Sequence, residues 1–211
     1  MPDIKKRAKS IFSDIYHNNI WDSNESVSGP GSTLEHTTVI RKELPILIKE
    51  FNIKTVLDIP CGDYNWMKEI KLDLKKYIGY DIVPEIIIKN TKIYGNKKIE
   101  FKEINMIDNT LPSADLIICR DGLVHLSFKD IKSTIKNFKK SKSKYLLTTT
   151  FTRQMKNKDI LTGRWRIINL QEPPFNFPKA IKTINEKYKG DNGMYSDRSL
   201  CLYKIKDIKV E

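Results

Sequence analysis

Cysteine is scarce: Cys61, Cys119 and Cys201 are the whole complement, far apart and with no CxxC pair. An odd, scattered set argues against a disulfide framework and a zinc site, and points to reduced thiols in a cytoplasmic protein. No metal is expected. Glycine is also thin, at nine in 211 residues. No three-glycine fingerprint follows a candidate strand, and a dinucleotide pyrophosphate needs the close backbone approach that those glycines allow. Long apolar runs are missing, with none near the roughly 20 residues that span a bilayer, so no membrane span is expected. The opening Met1-Pro2-Asp3-Ile4-Lys5-Lys6-Arg7 has no apolar core behind it and does not read as a signal peptide. Internal repeats, low-complexity tracts and domain linkers are absent from the sequence.

What remains is a chain 39% hydrophobic and 30% charged, long enough for one α/β domain with a full core over residues 1–211. Positive charge is in excess, at +12 formally. A nucleic-acid partner is one reading of that excess. Lysine is spread through the whole chain, however, and the pieces of an RNA module are missing, so solvated lysine-rich faces are the preferred reading. The arginines are placed more selectively: Arg7, Arg41, Arg120, Arg153, Arg164, Arg166 and Arg198. Arginine grips carboxylate or phosphate bidentately, which lysine does not. Their placement hints at an anionic ligand.

Residues 3–16 suit an amphipathic helix with Ile4, Ile11, Phe12 and Ile15 on one face. Residues 1–36 supply that helix and a polar covering loop centred on Gly29-Pro30-Gly31-Ser32. Thr37 to Phe51 reads as a helix, with Pro45 expected to kink or break it. Strands are expected at 55–60, 77–82, 99–105, 115–120 and 145–150. Helices are expected at 64–70, from Pro84 to about Tyr94, and at 127–140 with Ser127 as N-cap. This alternation predicts a parallel sheet with helices on both faces. After residue 150 the pattern turns polar and aromatic. Two further strands, 180–186 and 199–205, are joined by a loop short enough to pair them antiparallel.

Val56-Leu57-Asp58-x-x-Cys61-Gly62-Asp63, then Tyr80-Asp81, form a strand, a tight turn and a second strand ending in an acid about 20 residues on. That is half of a nucleotide-binding α/β fold. The two motifs resemble the first and second motifs of class I S-adenosylmethionine-dependent methyltransferases. Leu111-Pro112-x-x-Asp115-Leu116-Ile117-Ile118-Cys119 resembles the strand after that family's adenine-contacting acid. The resemblance covers roughly residues 20–205. It implies a Rossmann-like, seven-stranded, mostly parallel sheet with a C-terminal antiparallel hairpin, and S-adenosyl-L-methionine as cofactor.

On that resemblance, Asp58 lies near the methionyl ammonium or else caps its turn, and Pro60, Cys61 and Gly62 supply the turn. Asp81 accepts the ribose hydroxyls, with Ile82 beside it. Asn105 and Met106 stand where the family commonly has an adenine-reading acid; Asp108 is a rival. Cys119-Arg120-Asp121-Gly122-Leu123-Val124-His125 leaves the fourth strand at its carboxyl end, the expected methyl-transfer locus. There His125 is a candidate general base or a packed histidine, since imidazole titrates near neutrality. Arg120 and Asp121 orient the substrate, with Arg120 also bordering the cofactor, or form a structural pair. Arg164, Trp165, Arg166 and Asn169 suit a substrate wall for a polar or anionic molecule. Ser28, Gly29, Gly31 and Ser32 form an anion-nest candidate or an ordinary turn.

Trp21, the 28–33 loop and the Arg164-Trp165-Arg166 segment are similar to a narrower group, the small methyltransferases of bacterial capsule and surface-polysaccharide gene clusters, some of which build an O-methyl phosphoramidate. The expected activity is O-methylation of a small polar or anionic acceptor. Alternatives are an RNA methyltransferase using the basic surface and a noncatalytic cofactor-binding protein. The Asn/Asp-Pro-Pro-Tyr/Phe signature of amino-nitrogen methylation is missing after the fourth strand.

Overall fold

The computed structural model describes residues 4–209. The chain divides into two compact units, Met1–Met106 and Ile107–Glu211.

In the first unit, α1 (Ile4–His17) is amphipathic, with Ala8 and Ile15 buried and Ile11 and Phe12 half-buried. Its expected start at residue 3, and the side chain of Ile4, lie outside what is described. The helix α2 (Thr38–Glu50) runs on through Pro45. Ile40, Leu44, Leu47 and Ile48 are buried along one face. Each such burial contributes about 1.5–3 kcal/mol, and together they exceed the ~3 kcal/mol an interior proline costs. The strands β1 (Thr55–Asp58), β2 (Lys76–Asp81) and β3 (Ile99–Glu103) pair in parallel, setting Asp58 against Gly79 and Asp81 against Glu103. The helix α3 (Pro84–Tyr94) follows β2, with Pro84 in the first turn where a missing N–H breaks no helical bond. The expected helix over 64–70 is reduced to a 3₁₀ turn, Met67–Glu69. Tyr64 has φ +62°, outside right-handed helix, and the Asn65 side chain is bonded to another segment.

In the second unit, β4 (Leu116–Cys119) is wholly buried and pairs in parallel with β5 (Tyr145–Phe151). Between them, α4 (Phe128–Lys140) starts at Ser127, whose Oγ accepts the Asp130 amide over 3.2 Å as an N-cap. The strands β6 (Lys182–Asn185) and β7 (Arg198–Lys204) form the expected antiparallel pair, and β7 is also antiparallel to β5. Residues 152–181 bury Ile168, Leu170, Phe175 and Phe177. The seven strands run in the order β3-β2-β1-β4-β5-β7-β6. This is the Rossmann-like, mostly parallel sheet expected from the sequence.

Candidate active site

The turn after β1 is pinned by its own backbone and by two acids. The Cys61 amide donates to the Tyr80 carbonyl over 2.9 Å. The Gly62 amide donates to Asp81 Oδ2 over 3.0 Å, and Asp81 Oδ1 accepts the Val83 amide over 3.1 Å. Asn90 on α3 donates to the Gly62 carbonyl. Asp81 is therefore a buried carboxylate held by backbone, rather than an exposed strand-end acid. Burial raises its pKa, partly offset by the Val83, Gly62 and Ile82 amides. A carboxylate has about four acceptor sites, so three amides leave capacity for a hydroxyl donor. Pro60 and Ile82 are half-buried on either side of these bonds.

Asp58 is also buried, and Tyr77 Oη donates to its Oδ2 over 2.6 Å. Tyr77 belongs to a cluster with Tyr64, Tyr94 and Phe101 whose ring centroids lie 5.1–6.1 Å apart. Gly79 leaves room for it: a Cβ there would stand 2.7 Å from Phe101. The Ile104 amide donates to the Asp81 carbonyl over 2.8 Å. That bond brings the buried Asn105 and Met106 to the end of β2.

Residues 25–34 form a strap over this turn. Asp63 accepts Ser26 Oγ, the Val27 amide and Ser28 Oγ at 3.0, 3.0 and 3.3 Å. In return the Asp63 amide donates to Ser28 Oγ over 3.1 Å. Asn65 Nδ2 donates to Glu25 Oε1 over 2.7 Å, and the same oxygen accepts the Leu34 amide. Gly62, at φ +54°, has to be glycine on two counts: a Cβ would lie 2.2 Å from Ser28 Oγ. The anion-nest expectation for Ser28, Gly29, Gly31 and Ser32 changes here. The amides of Ser28, Gly29 and Ser32 donate to Ser26 Oγ, Ser26 O and Gly29 O within the loop. Gly29, with φ +89°, packs on Trp21.

In the second unit, the chain leaving β4 meets three partners: Thr149, Glu186 and Arg198. Asp121 adopts φ +54°. Its amide donates to Thr149 Oγ1 over 2.8 Å, and that hydroxyl lies 3.2 Å from Asp121 Oδ1. Asp121 Oδ2 accepts Arg198 Nη2 over 2.5 Å and lies 3.4 Å from Arg120 Nη1. Glu186 closes the ring, with Oε1 at 2.7 Å from Arg120 Nε and Oε2 at 2.7 Å from Arg198 Nε. Arg120 and Asp121 thus lie within one ion-pair network. Their partners Glu186 and Arg198 lie far along the chain at strand ends, and no local sequence signal joins them.

His125 Nδ1 is 3.1 Å from the Arg164 carbonyl. A carbonyl only accepts, so Nδ1 carries the hydrogen and the lone pair of the neutral ring is on Nε2. Burial lowers the His125 pKa against the opposing pull of Asp121 and of the carbonyl, and Arg166 and Arg198 lower it further. The substrate-wall residues separate. Arg166 is buried and its guanidinium donates to the carbonyls of Leu123, Val124 and Leu126 at 3.1, 2.7 and 2.9 Å. Its charge lies 5.6 Å from the Phe128 ring centroid. Asn169 is buried too, with its side chain bonding the Thr152 and Gln154 carbonyls and the Gln171 amide. Arg166 therefore ties its segment to residues 123–126, and Asn169 braces residues 152–171, so neither lines an open wall. Arg164 and Trp165 are exposed, and Trp165 is held edge-on by Phe151 and Tyr195.

The three cysteines are buried thiols that form no disulfide. Among the described residues, no group of three or more His, Cys, Asp or Glu is placed to hold a metal ion, and no helix is long and apolar enough to cross a membrane.

No family model matches the sequence, and no curated protein does. Solved structures do match its fold. Human N-acetylserotonin methyltransferase, solved with SAM, is 13% identical with a TM-score of 0.62; the match covers 93% of this chain and 59% of the human one. The N-methyltransferase NodS from Bradyrhizobium japonicum WM9 is 14% identical with a TM-score of 0.58, covering 81% and 93% of the two chains. Magnesium protoporphyrin IX methyltransferase from Synechocystis PCC 6803, solved with SAH, is 13% identical with a TM-score of 0.51, covering 72% of each. The chain thus spans less than two thirds of the human enzyme's length. Its structural neighbours are class I S-adenosylmethionine-dependent methyltransferases, and it has their fold.

Proposed function

We propose that this chain is an S-adenosylmethionine-dependent methyltransferase acting on a hydroxyl of a small polar acceptor, with residues 1–211 as one catalytic domain in the cytoplasm. The observation that carries the reading is the turn after β1. The amides of Cys61, Gly62 and Asp63 are all committed inward. A phosphate cradle needs such amides pointing outward. The turn therefore suits a ligand with ribose hydroxyls and no phosphate, which an adenosyl sulfonium is. The SAM and SAH bound in structures of the same fold support the same cofactor.

In this reading Asp81 receives the ribose hydroxyls with its remaining acceptor capacity. Asn105 reads the adenine amino group through its side-chain oxygen, with Ile82 and Met106 flanking the base. Asp58, with Pro60, Cys61 and Gly62, meets the methionyl end. When bound, S-adenosylmethionine supplies a methyl group on a sulfonium centre. His125 Nε2 takes the acceptor hydroxyl's proton as the oxygen attacks. Arg164 and Trp165 border the acceptor. An anionic acceptor from surface-polysaccharide biosynthesis is the finer reading. It rests on the sequence resemblance and on Arg164, because Arg120 and Arg166 are engaged within the protein.

Isothermal titration with S-adenosylmethionine tests the cofactor, with Asp81→Ala as control. Binding to the parent and loss in the variant are expected; no binding to the parent overturns the reading. Methyl transfer from radiolabelled cofactor to phosphorylated and neutral sugars then tests the acceptor. Incorporation into RNA, with a steep salt dependence of RNA binding, would move the assignment to RNA.

A further inference from the structure

Trp165 is 44% exposed, and a single exposed apolar side chain is ordinary. What sets this one apart is how it is held. Its ring lies edge-on to Phe151, with centroids 6.1 Å apart at 88°, and to Tyr195, at 5.1 Å and 68°. Phe151 and Tyr195 also meet each other, at 5.8 Å and 79°. The three rings brace one another, with Phe151 buried, Tyr195 half-buried and Trp165 the most open. Phe151 is the last residue of β5. The cluster therefore stands at the carboxyl end of the parallel strands, where open α/β sheets bind ligands.

Resting on the methyltransferase reading, we infer that Trp165 is a stacking platform for a pyranose ring of the acceptor, and that Tyr195 is the positioning residue of that platform. The backbone around Trp165 is fastened to the candidate base. The Gly163 amide donates to the His125 carbonyl over 2.8 Å, the Arg164 carbonyl lies 3.1 Å from His125 Nδ1, and the Arg166 amide donates to the Val124 carbonyl over 3.2 Å. The residues on both sides of the tryptophan are thus bonded to the 124–125 turn. The Tyr195 side is built as firmly. The Tyr195 carbonyl accepts the Arg198 amide over 2.9 Å. Arg153 holds the next two residues, its amide donating to Asp197 Oδ2 over 2.8 Å and its Nη2 to Ser196 Oγ over 2.9 Å. An aromatic surface fixed in advance loses little freedom when a ligand covers it.

The surrounding chemistry selects the ligand. An indole ring offers apolar contact and a negative face, which suits the slightly positive C–H groups on the face of a sugar ring. The residues next to the cluster are polar: the exposed Arg164 precedes Trp165, and the Arg153, Ser196 and Asp197 group adjoins Tyr195. A pyranose has apolar faces and a hydroxyl-bearing edge, so it matches both at once. An aryl ring has no hydroxyls for those polar groups. Single-stranded RNA needs a basic groove beside its stacked bases, and here the Asp197 carboxylate stands beside the ring cluster.

The test is ¹⁹F NMR titration of the full chain labelled with fluorotryptophan. With three tryptophans in the sequence, the Trp165 signal is assigned by its loss in Trp165→Phe, and Trp21 and Trp66 serve as internal references. The pyranose probes are methyl glucopyranoside, glucose 6-phosphate, glucuronate and N-acetylglucosamine 1-phosphate; glycerol 3-phosphate, phenyl phosphate and oligouridine are the comparisons. At least one pyranose should displace the Trp165 signal saturably, and glycerol 3-phosphate should not. Tyr195→Ala should weaken that pyranose about 3–10-fold, the range of one aromatic pair, and Tyr195→Phe should keep parental affinity. The inference is overturned by no saturable response to any pyranose, by a response to phenyl phosphate, oligouridine or glycerol 3-phosphate at least as strong, or by parental affinity in Tyr195→Ala. If that variant fails to fold, Tyr195→Leu takes its place, and failure of both overturns the positioning role. The titration needs neither cofactor nor turnover. A chain that binds a pyranose at Trp165 but not S-adenosylmethionine would sink the methyltransferase reading and leave the platform standing. Methyl transfer to an acceptor without a sugar ring would do the reverse.

Discussion

The phenol of Tyr77 on β2 hydrogen-bonds Asp58 on β1 over 2.6 Å, and both groups are buried. Burial, and then the charge of Asp58, push the Tyr77 pKa up. The phenol therefore stays a donor throughout the working pH range. A hydrogen bond to a charged group contributes about 1.5–3 kcal/mol. Tyr77→Phe should lose that amount in urea unfolding and should weaken S-adenosylmethionine binding by releasing Asp58. Parental stability in the variant would mean that the bond is not made in solution.

Gly62 and Ser28 are coupled sterically. Gly62→Ala puts a methyl group where Ser28 Oγ lies and adds the ~1–2 kcal/mol cost of a left-handed non-glycine residue. The strap should loosen and melting should fall. Removing the hydroxyl as well, in Gly62→Ala with Ser28→Gly, should recover part of the loss, so the two changes will not be additive. Additive melting shifts would rule out the clash.

Asp81 gives a pH dependence of defined sign. Its raised pKa means that the native state holds this proton to higher pH than the unfolded chain does. Ionisation of Asp81 therefore lowers stability as pH rises from the ordinary value through the raised one. Ribose binding uses the ionised form. Affinity for S-adenosylmethionine should fall on acidification, starting above the ordinary carboxylate range. Asp81→Asn should bind more weakly, by about 1.5–3 kcal/mol, and without that pH dependence. Calorimetry from pH 8 to pH 5 reads both.

For His125 the sign is opposite. Burial lowers its pKa below the ordinary 6.5, so the neutral base persists into mildly acidic solution. Stability contributed by the neutral ring is lost as pH falls through the lowered value. Methyl transfer should fall over the same range. His125→Ala should slow transfer about 10²–10⁴-fold with cofactor affinity nearly unchanged. Turnover within a few-fold of the parent at every pH would remove His125 as the base.

The two arginines of the Arg164-Trp165-Arg166 segment should separate cleanly. Arg166→Lys exchanges three carbonyl bonds for what one ammonium can reach. It should cost about 2–3 kcal/mol of stability. Arg164→Lys should leave melting unchanged and weaken only binding of an anionic acceptor. Equal melting for the two variants contradicts the structural role of Arg166.

Sequence periodicity reveals much of this fold because local and tertiary demands agree. Pro84 and Ser127 mark helix starts where the structure has them, and the apolar runs at 116–119 and 145–151 are buried strands. At Tyr64 the two demands part. An apolar spacing that suits a helix is overridden by a left-handed residue and by Asn65 reaching Glu25. Pro45 is the reverse case, a local breaker overruled by four buried aliphatic side chains. The turn around Gly62 and Asp81 carries its own signature. The ring does not: Glu186 and Arg198 lie 66 and 78 residues beyond Arg120, and only strand register joins them. Arg166 is misleading in sequence, since a guanidinium that holds carbonyls looks the same as one that awaits an anion.

The position of β7 between β5 and β6 sets an order of events during synthesis. Residues 145–151 and 182–185 leave the ribosome before the strand that joins them exists. Until residues 198–204 follow, β5 offers an open edge and β6 has no neighbour, and such edges invite pairing with other chains. The nascent protein thus depends on its late strand for solubility as well as for the guanidinium that completes the charged cluster. A ribosome stalled short of Arg198 would release a chain that is both sticky and chemically unfinished.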